Sequence, residues 1–219
     1  MEDKNTMQEL QVESAIKVQG AQEDEFLNQV IEAEKSAWPP ELQATRQKFK
    51  SRLKLFPQGF VVVKDNGKIK GVSTSQITIY DPDSSRTWDE ITDSGMIEKT
   101  HNPQGDSLYV VSVGVSADTQ GKGIGGILVK SQIELAKKLD LKYLFLGARI
   151  PGYDAYCRQN SDISVDEYLR IKNEKGETYD PEIRFYERQG LHPAKIISNF
   201  EPDRQSRDFG IVMVWENKS

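Results

Sequence analysis

Residues 108–139 carry the feature that most constrains what this chain can fold into. The apolar run Leu108–Val115 is followed by a short polar turn and then by residues 120–126, which read QGKGIGG. Apolar residues then recur at helical spacing up to Leu139. A strand, a glycine-rich turn and a helix start in this order favour phosphate binding, because the first amides of a helix lack intrahelical partners and carry partial positive charge. We therefore expect a phosphate compound at this turn, where glycines let the backbone approach it closely.

Two general phosphate-binding patterns fit the turn less well than a third. A P-loop requires Gly-x-x-x-x-Gly-Lys-Ser/Thr, but Gly123 follows Lys122, so the hydroxyl that would hold Mg²⁺ is missing. The dinucleotide pattern Gly-x-Gly-x-x-Gly matches at Gly121, Gly123 and Gly126. It expects an acid at the end of the next strand, whereas the run 143–150 offers an arginine, which would suit a 2′-phosphate. A dinucleotide domain also usually opens with this turn, and here more than a hundred residues precede it.

The third pattern, Arg/Gln-x-x-Gly-x-Gly/Ala, binds the pyrophosphate of coenzyme A and matches at Gln120, Gly123 and Gly125. Here the chain resembles the GNAT superfamily of acyl-CoA-dependent N-acetyltransferases. The family pattern runs from a strand-ending valine, here Val115, through x-Pro-x-x-Arg/Gln-Gly-x-Gly-Ile-Gly, and the chain departs from it only at Ala117, where proline is usual. Another kind of nucleotide-binding turn and a structural glycine turn are the alternatives. The resemblance implies that acetyl-CoA or coenzyme A is bound by Val113, Gly114, Val115, Gln120, Gly121, Lys122, Gly123, Ile124, Gly125 and Gly126.

A second stretch, residues 185–193, supports the same resemblance. It reads FYERQGLHP and is similar to the late helix of the family and its exit, Phe/Leu-Tyr-x-x-x-Gly-Phe. Asp180 and Pro181 are preferred residue types at a helix start, and Gly190 is a preferred residue type just past a helix end. The resemblance implies that Tyr186 protonates the departing thiolate of coenzyme A. The alternative is a packed aromatic ring with a satisfied hydroxyl.

The order of the remaining patterns predicts an α+β chain. The resemblance implies the GNAT fold, a mixed α/β arrangement with a splayed mixed sheet of about seven strands flanked by helices. The splay, where coenzyme A lies, is expected between strands 108–115 and 143–150, and Gly114 is predicted to be a bulge that opens it. The other predicted strands are 10–18, 59–64, 69–80, 191–199 and 209–216, and the predicted helices are 22–37, 41–55, 87–95, one ending near 139, 164–172 and 181–189.

Length and composition limit the function classes. With 219 residues, 37% of them hydrophobic, we expect one domain over residues 10–219, with a flexible N-terminus at 1–9 and an insertion at 151–180. The net charge of −5 argues against nucleic-acid binding, and the lack of an 18-residue apolar run argues against a membrane span. One cysteine, two histidines and no apolar leader predict a cytoplasmic protein without an internal disulfide or a metal site. A homodimer is possible.

The acceptor side of the predicted site is the least defined. Residues 147–153, GARIPGY, resemble a GNAT subgroup seen alone or fused to carbon–nitrogen hydrolases. Arg149, Tyr153, Asp154 and Glu34 are candidate contacts for the acceptor. For Glu34 the alternative is a solvated helix face, and for Arg149 it is an ion pair with an internal acid. The family often places a general base on the strand matching 108–115, and this strand has no Asp or Glu.

These patterns predict an enzyme that moves an acetyl group from acetyl-CoA to an amine by direct attack in a ternary complex. A small-molecule amine is the expected acceptor. A peptide or protein amine is the second hypothesis, and a non-catalytic acyl-CoA-binding or sensing module is the third. A free alkylamine has a pKa near ~10, so the enzyme needs a desolvated pocket or a general base to take its proton.

Overall fold

The computed structural model of the protein describes residues 10–218, so the segment 1–9 predicted to be flexible lies outside the described residues. The strands of this part form one mixed sheet in the order β1-β2-β3-β4-β5-β7-β6, which confirms the predicted seven-stranded α+β fold. The strands are β1 Gln11–Ser14, β2 Val61–Asp65, β3 Lys68–Thr78, β4 Ser107–Val115, β5 Tyr143–Ala148, β6 His192–Ile197 and β7 Gly210–Glu216. The α-helices are α1 Ala21–Ala37, α2 Arg46–Leu55, α3 Trp88–Thr92, α4 Ile124–Lys138, α5 Tyr153–Gln159, α6 Val165–Arg170 and α7 Pro181–Arg188.

The chain divides into two compact units. Of the described residues, the first unit contains 10–75 and 112–132, and the second contains 76–111 and 133–218. Three elements, β3, β4 and α4, contribute residues to both units. The expectation of a single domain over residues 10–219 stays a prediction.

The first unit contains the antiparallel strands β1, β2 and most of β3. The β2–β3 hairpin turns at Asn66 and Gly67, whose φ values of 52° and 73° are those a tight hairpin turn needs. Helices α1 and α2 pack their apolar faces into one core, in which Leu27 and Phe49 are fully buried against Phe60. A second cluster joins β2 to the start of α4. Its buried members are Val61, Val63, Ile124 and Leu128, and Val113 and Val115 of β4 pack against it.

The second unit contains the parallel pair β4–β5 and the antiparallel partners β7 and β6. The register of β4 and β5 runs from Ser107↔Tyr143 to Tyr109↔Phe145. In this unit β4 continues to Val111 and β5 to Ala148, beyond the last registered pair, as expected where two strands diverge. Between β5 and α7, the predicted insertion 151–180 contains both α5 and α6.

The largest differences between the predicted and observed limits occur at the first strand and the second helix. The first strand ends at Ser14 rather than 18, because residues Ala15–Lys17 form a 3₁₀ turn that buries Ala15. The second helix begins at Arg46 rather than 41, because Pro40–Leu42 form a separate 3₁₀ turn and the Thr45 hydroxyl caps α2 by accepting from the Lys48 amide. Both predictions failed where a short 3₁₀ turn adjoins the regular element, after β1 in the first case and before α2 in the second.

Candidate functional site

The glycine-rich turn lies in the first unit, and hydrogen bonds to backbone carbonyls fix the residues that precede it. Ser116, directly after β4, donates its amide to the Lys70 carbonyl at 2.8 Å, which fixes where the chain leaves the sheet. The Ser116 carbonyl then accepts both the amide and the hydroxyl of Thr119, which is buried. The turn that follows therefore starts from a rigid support.

Two glycines give the turn its shape. Gly121 and Gly123 both have a φ of 82°, which strains any other residue. No atom lies within 4 Å of the position a Cβ would take at either glycine, so backbone conformation, and not crowding, requires glycine here. The outer side of the turn is open space.

The amides after this turn are available to an anion. Lys122 donates its amide to Thr119, and the first amide of α4 with an acceptor is that of Ile127, which donates to Gly123. Within residues 10–218, the amides of residues 123–126 have no acceptor. They stand at the positive end of a 15-residue helix, where a phosphate is stabilised by hydrogen bonds and by the helix dipole.

The departure at Ala117 from the family pattern has a structural explanation. The Ala117 amide, which a proline would lack, donates to the Ser36 hydroxyl at 2.9 Å. Ser36 lies in the last turn of α1. In this chain a side-chain hydrogen bond connects the turn to α1, so the turn does not depend on the stiffness of a proline.

Gly114 of β4 faces the last turn of α1. A Cβ at this position would lie 3.0 Å from Trp38 Nε1, 3.3 Å from Ala37 Cβ and 3.3 Å from Glu34 Oε2. Glycine is needed here for close approach of the helix. The predicted bulge at Gly114 stays a prediction.

A buried polar cluster lies beside Gly114. Arg52 is 1% exposed and its Nη1 donates to the hydroxyls of Thr74 at 3.1 Å and Ser112 at 3.3 Å. Burial lowers the pKa of Arg52 to about 10, while the attraction of Glu34 opposes that shift. Glu34 is 3% exposed, and its Oε1 accepts from the Ala44 amide at 2.8 Å. Burial raises the pKa of Glu34, and the Ala44 hydrogen bond, Arg52 and Lys48 oppose that rise.

The second unit holds Tyr186 on α7. Its side chain is buried, with 8% of the residue surface exposed. Burial, followed by the charges of Glu182 and Tyr109, raises the pKa of Tyr186 well above its ordinary value. The hydroxyl therefore keeps its proton at neutral pH. Glu182, one turn earlier, accepts from the Arg149 amide, and burial raises its pKa to about 7.

Comparisons with known proteins decide the family. A family model of the acetyltransferase (GNAT) family matches residues 24–156, more than half of the chain. The chain belongs to the GNAT family. It is 35% identical over 196 residues to the uncharacterized N-acetyltransferase YkwB of Bacillus subtilis (strain 168), covering 87% of this chain and 84% of that protein.

Two further comparisons concern the subgroup and the fold. This GNAT chain is 30% identical over 197 residues to the probable hydrolase YhcX of the same organism, covering 89% of this chain but only 37% of YhcX. The partial match agrees with the predicted subgroup that occurs alone or fused to hydrolases. The loading GNATL domain of CurA from Lyngbya majuscula has the same fold, with a TM-score of 0.77, 20% identity, and coverage of 95% and 96% of the two chains.

The predicted acceptor contacts in the second unit of this GNAT chain form internal hydrogen bonds. Arg149 donates from Nε and Nη2 to the two oxygens of Asp203, at 2.8 and 2.9 Å, which matches its alternative as an internal ion pair. The Tyr153 hydroxyl donates to the Ile163 carbonyl at 2.6 Å. Asp154 accepts from Arg207 at 3.0 Å and pairs with Arg158. Acceptor binding by Arg149, Tyr153 or Asp154 stays a prediction. Each of these residues would have to contact the acceptor while keeping its internal hydrogen bonds.

Two features of the first unit bear on the sequence interpretation. Glu34 is buried, so its alternative as a solvated helix face is wrong. Arg52 was not identified from the sequence, although its position on the apolar face that contains Phe49, Leu53 and Phe56 was a signal. A charged residue at an apolar position of an amphipathic helix indicates a buried ion partner.

No group of His, Cys, Asp and Glu residues among the described positions is arranged to hold a metal ion. Over the same positions, no helix is both long and apolar enough to cross a membrane.

Proposed function

We propose that this GNAT chain transfers an acetyl group from acetyl-CoA to an amine by direct attack within a ternary complex. The observation that carries the proposal is the row of unpartnered amides at residues 123–126, behind two glycines with positive φ. Their geometry suits the two negatively charged phosphates of the coenzyme A diphosphate. Gln120 and Lys122 are exposed beside these amides and can add polar contacts.

The pantetheine arm is proposed to lie along Val113–Val115. The side chains of Val113 and Val115 pack against the apolar cluster that joins β2 to the start of α4, and Gly114 has no side chain. This segment would therefore offer its backbone to a ligand. The amides of pantetheine would bind there as an added strand does. An amide of the same segment, Val113 or Val115, is the proposed donor to the oxyanion of the tetrahedral intermediate.

Tyr186 is proposed to protonate the thiolate that leaves. A general acid must hold its proton until the transition state, and the Tyr186 hydroxyl is protonated at neutral pH. Direct transfer is preferred to an acyl-enzyme because Cys157, which is the single cysteine of the sequence, is buried. A buried thiol is a poor nucleophile.

The coenzyme site is tested by calorimetry with coenzyme A and acetyl-CoA. Gly123→Ala should weaken binding about tenfold or more, since displaced amides lose charge-assisted hydrogen bonds of ~1.5–3 kcal/mol. Gly67→Ala is the matched control, because Gly67 also has a positive φ, 73°, and open space around its Cβ position. Equal binding by the parent and Gly123→Ala would reject the site.

The reaction is tested by thiol release from acetyl-CoA against a panel of primary amines that includes small amines and short peptides. Turnover with small amines supports the proposal, and turnover with peptides alone would favour the peptide acceptor. Tight binding of acetyl-CoA with no turnover would favour a sensing module. Tyr186→Phe should lower kcat about 10²-fold or more with little change in acetyl-CoA affinity. An unchanged kcat would remove Tyr186 from the mechanism.

A further inference from the structure

The strand that would hold the pantetheine lacks a carboxylate, but a helix brings one to it. No Asp or Glu occurs in β4, and its residue 114 is glycine. Glu34 Oε2, from the last turns of α1, lies 3.3 Å from the place where a Cβ of residue 114 would be. The carboxylate thus reaches the region that a side chain on β4 would otherwise enter.

The two oxygens of Glu34 have different surroundings. Oε1 accepts from the Ala44 amide, which fixes the orientation of the carboxylate. No hydrogen bond within residues 10–218 engages Oε2. Buried carboxylates normally satisfy both oxygens, so an oxygen left open beside a strand is placed to accept a proton or a hydrogen bond from a ligand.

The charges around Glu34 come from one neighbouring helix. Arg52 and Lys48 of α2 face it and favour its ionised form, and β4 contributes no charged group at Gly114 or Ser112. Burial outweighs these cations and raises the pKa of Glu34 above its ordinary value. A carboxylate in this environment is more basic than one on the surface, while Arg52 keeps it from being an isolated buried charge.

We propose that Glu34 is the general base that takes a proton from the acceptor's ammonium group. This inference rests on the proposed acetyl transfer. The acceptor binds as a primary ammonium ion, and Glu34 Oε2 takes one of its protons and passes it to water. The neutral nitrogen forms a bond to the thioester carbon and the carbon–sulfur bond breaks. The nitrogen loses a second proton, and the sulfur ends as a thiol, so one proton is released overall.

The test compares Glu34→Gln with Glu32→Gln, using amines of different basicity. Glutamine keeps the acceptor for the Ala44 amide and the shape of Glu34 but cannot take a proton. Glu32 is an exposed residue of the same helix and is the matched control. At pH 7, Glu34→Gln should lower kcat/KM for a strongly basic alkylamine by about 10²-fold. It should have little effect with hydroxylamine, which is already neutral at that pH.

The pH profile gives the second readout. The rate of Glu34→Gln with the alkylamine should rise with pH toward the pKa of the free amine near ~10, because unprotonated amine then needs no base. Acetyl-CoA affinity should match that of the parent, which shows that the variant is folded. An equal loss with both amines, or no loss with either, would overturn the role of Glu34. A parent that turns over no amine would overturn the proposed function itself.

Discussion

At the scale of single residues, the polar interior of the first unit depends on Arg52. It is almost fully buried, holds the hydroxyls of Thr74 and Ser112, and attracts Glu34. Arg52→Met should lower the free energy of unfolding by about 3–5 kcal/mol, because it leaves a buried carboxylate without its compensating cation. Urea unfolding at pH 7 measures the loss.

A double-mutant cycle separates the charge effect from lost packing. If the buried charge of Glu34 causes the loss, adding Glu34→Gln to Arg52→Met should restore part of the stability. Strictly additive effects of Arg52→Met and Glu34→Gln would show that the two side chains do not interact.

Glu34 should also make stability depend on pH. Its pKa in the folded chain is raised above the ordinary value of 4.5, so the fold binds the proton more tightly than the unfolded chain does. The resulting stabilisation is fully present below pH 4.5 and is lost as pH rises through the folded pKa. The stability of Glu34→Gln relative to that of the parent should therefore increase as the pH is raised from 4 to 7. Urea unfolding at pH 4 and pH 7 measures the difference in free energy of unfolding between the variant and the parent. A relative stability of the variant that decreases with rising pH would contradict the upward pKa shift of Glu34.

At the scale of elements, α7 is anchored by Asp180. Asp180 Oδ1 accepts from the Glu182 and Ile183 amides as an N-cap, and its Oδ2 accepts from the Gly152 amide and the Tyr168 hydroxyl. Asp180→Ala should cost more than the ~0.5–2 kcal/mol of a lost cap, because the Tyr168 hydroxyl is also left buried and unpaired.

Ser164→Ala is the matched comparison for Asp180→Ala. Ser164 caps α6 in a capping box at the surface, so its loss should cost about 1 kcal/mol or less. Urea unfolding of both variants gives the two costs. Similar costs would mean that Asp180 acts only as a cap and that the insertion does not support α7.

Elements with local signals were predictable from the sequence. The capping box Ser164–Glu167, the start of α7 at Asp180-Pro181 and the hairpin at Asn66-Gly67 are all present, because each signal lies within the segment it shapes. The pairing of Arg149 with Asp203 could only be left as one of two alternatives, since the partner lies on a distant loop. The approach of Glu34 to Gly114 was not predicted for the same reason, because it requires the packing of α1 on β4.

At the scale of the whole molecule, the two units raise the question of cooperativity. Both β3 and β4 contribute residues to both units. We expect one cooperative unfolding transition, as for a single domain. Hydrogen exchange by mass spectrometry in urea tests this, by comparing peptides from α2 and β2 with peptides from β5 and β7. Protection lost at different urea concentrations would show two independently stable units and would reject the predicted single domain.

The absent side chain of residue 114 has an evolutionary consequence. One methyl group at this position would press on the Glu34 carboxylate of α1 and on the Trp38 indole just after it, at 3.3 and 3.0 Å. Glycine on the strand and glutamate on the helix should therefore be inherited together. In a phylogenetic tree of related chains, lineages that have a side chain at the position of Gly114 should also have replaced the glutamate at the position of Glu34.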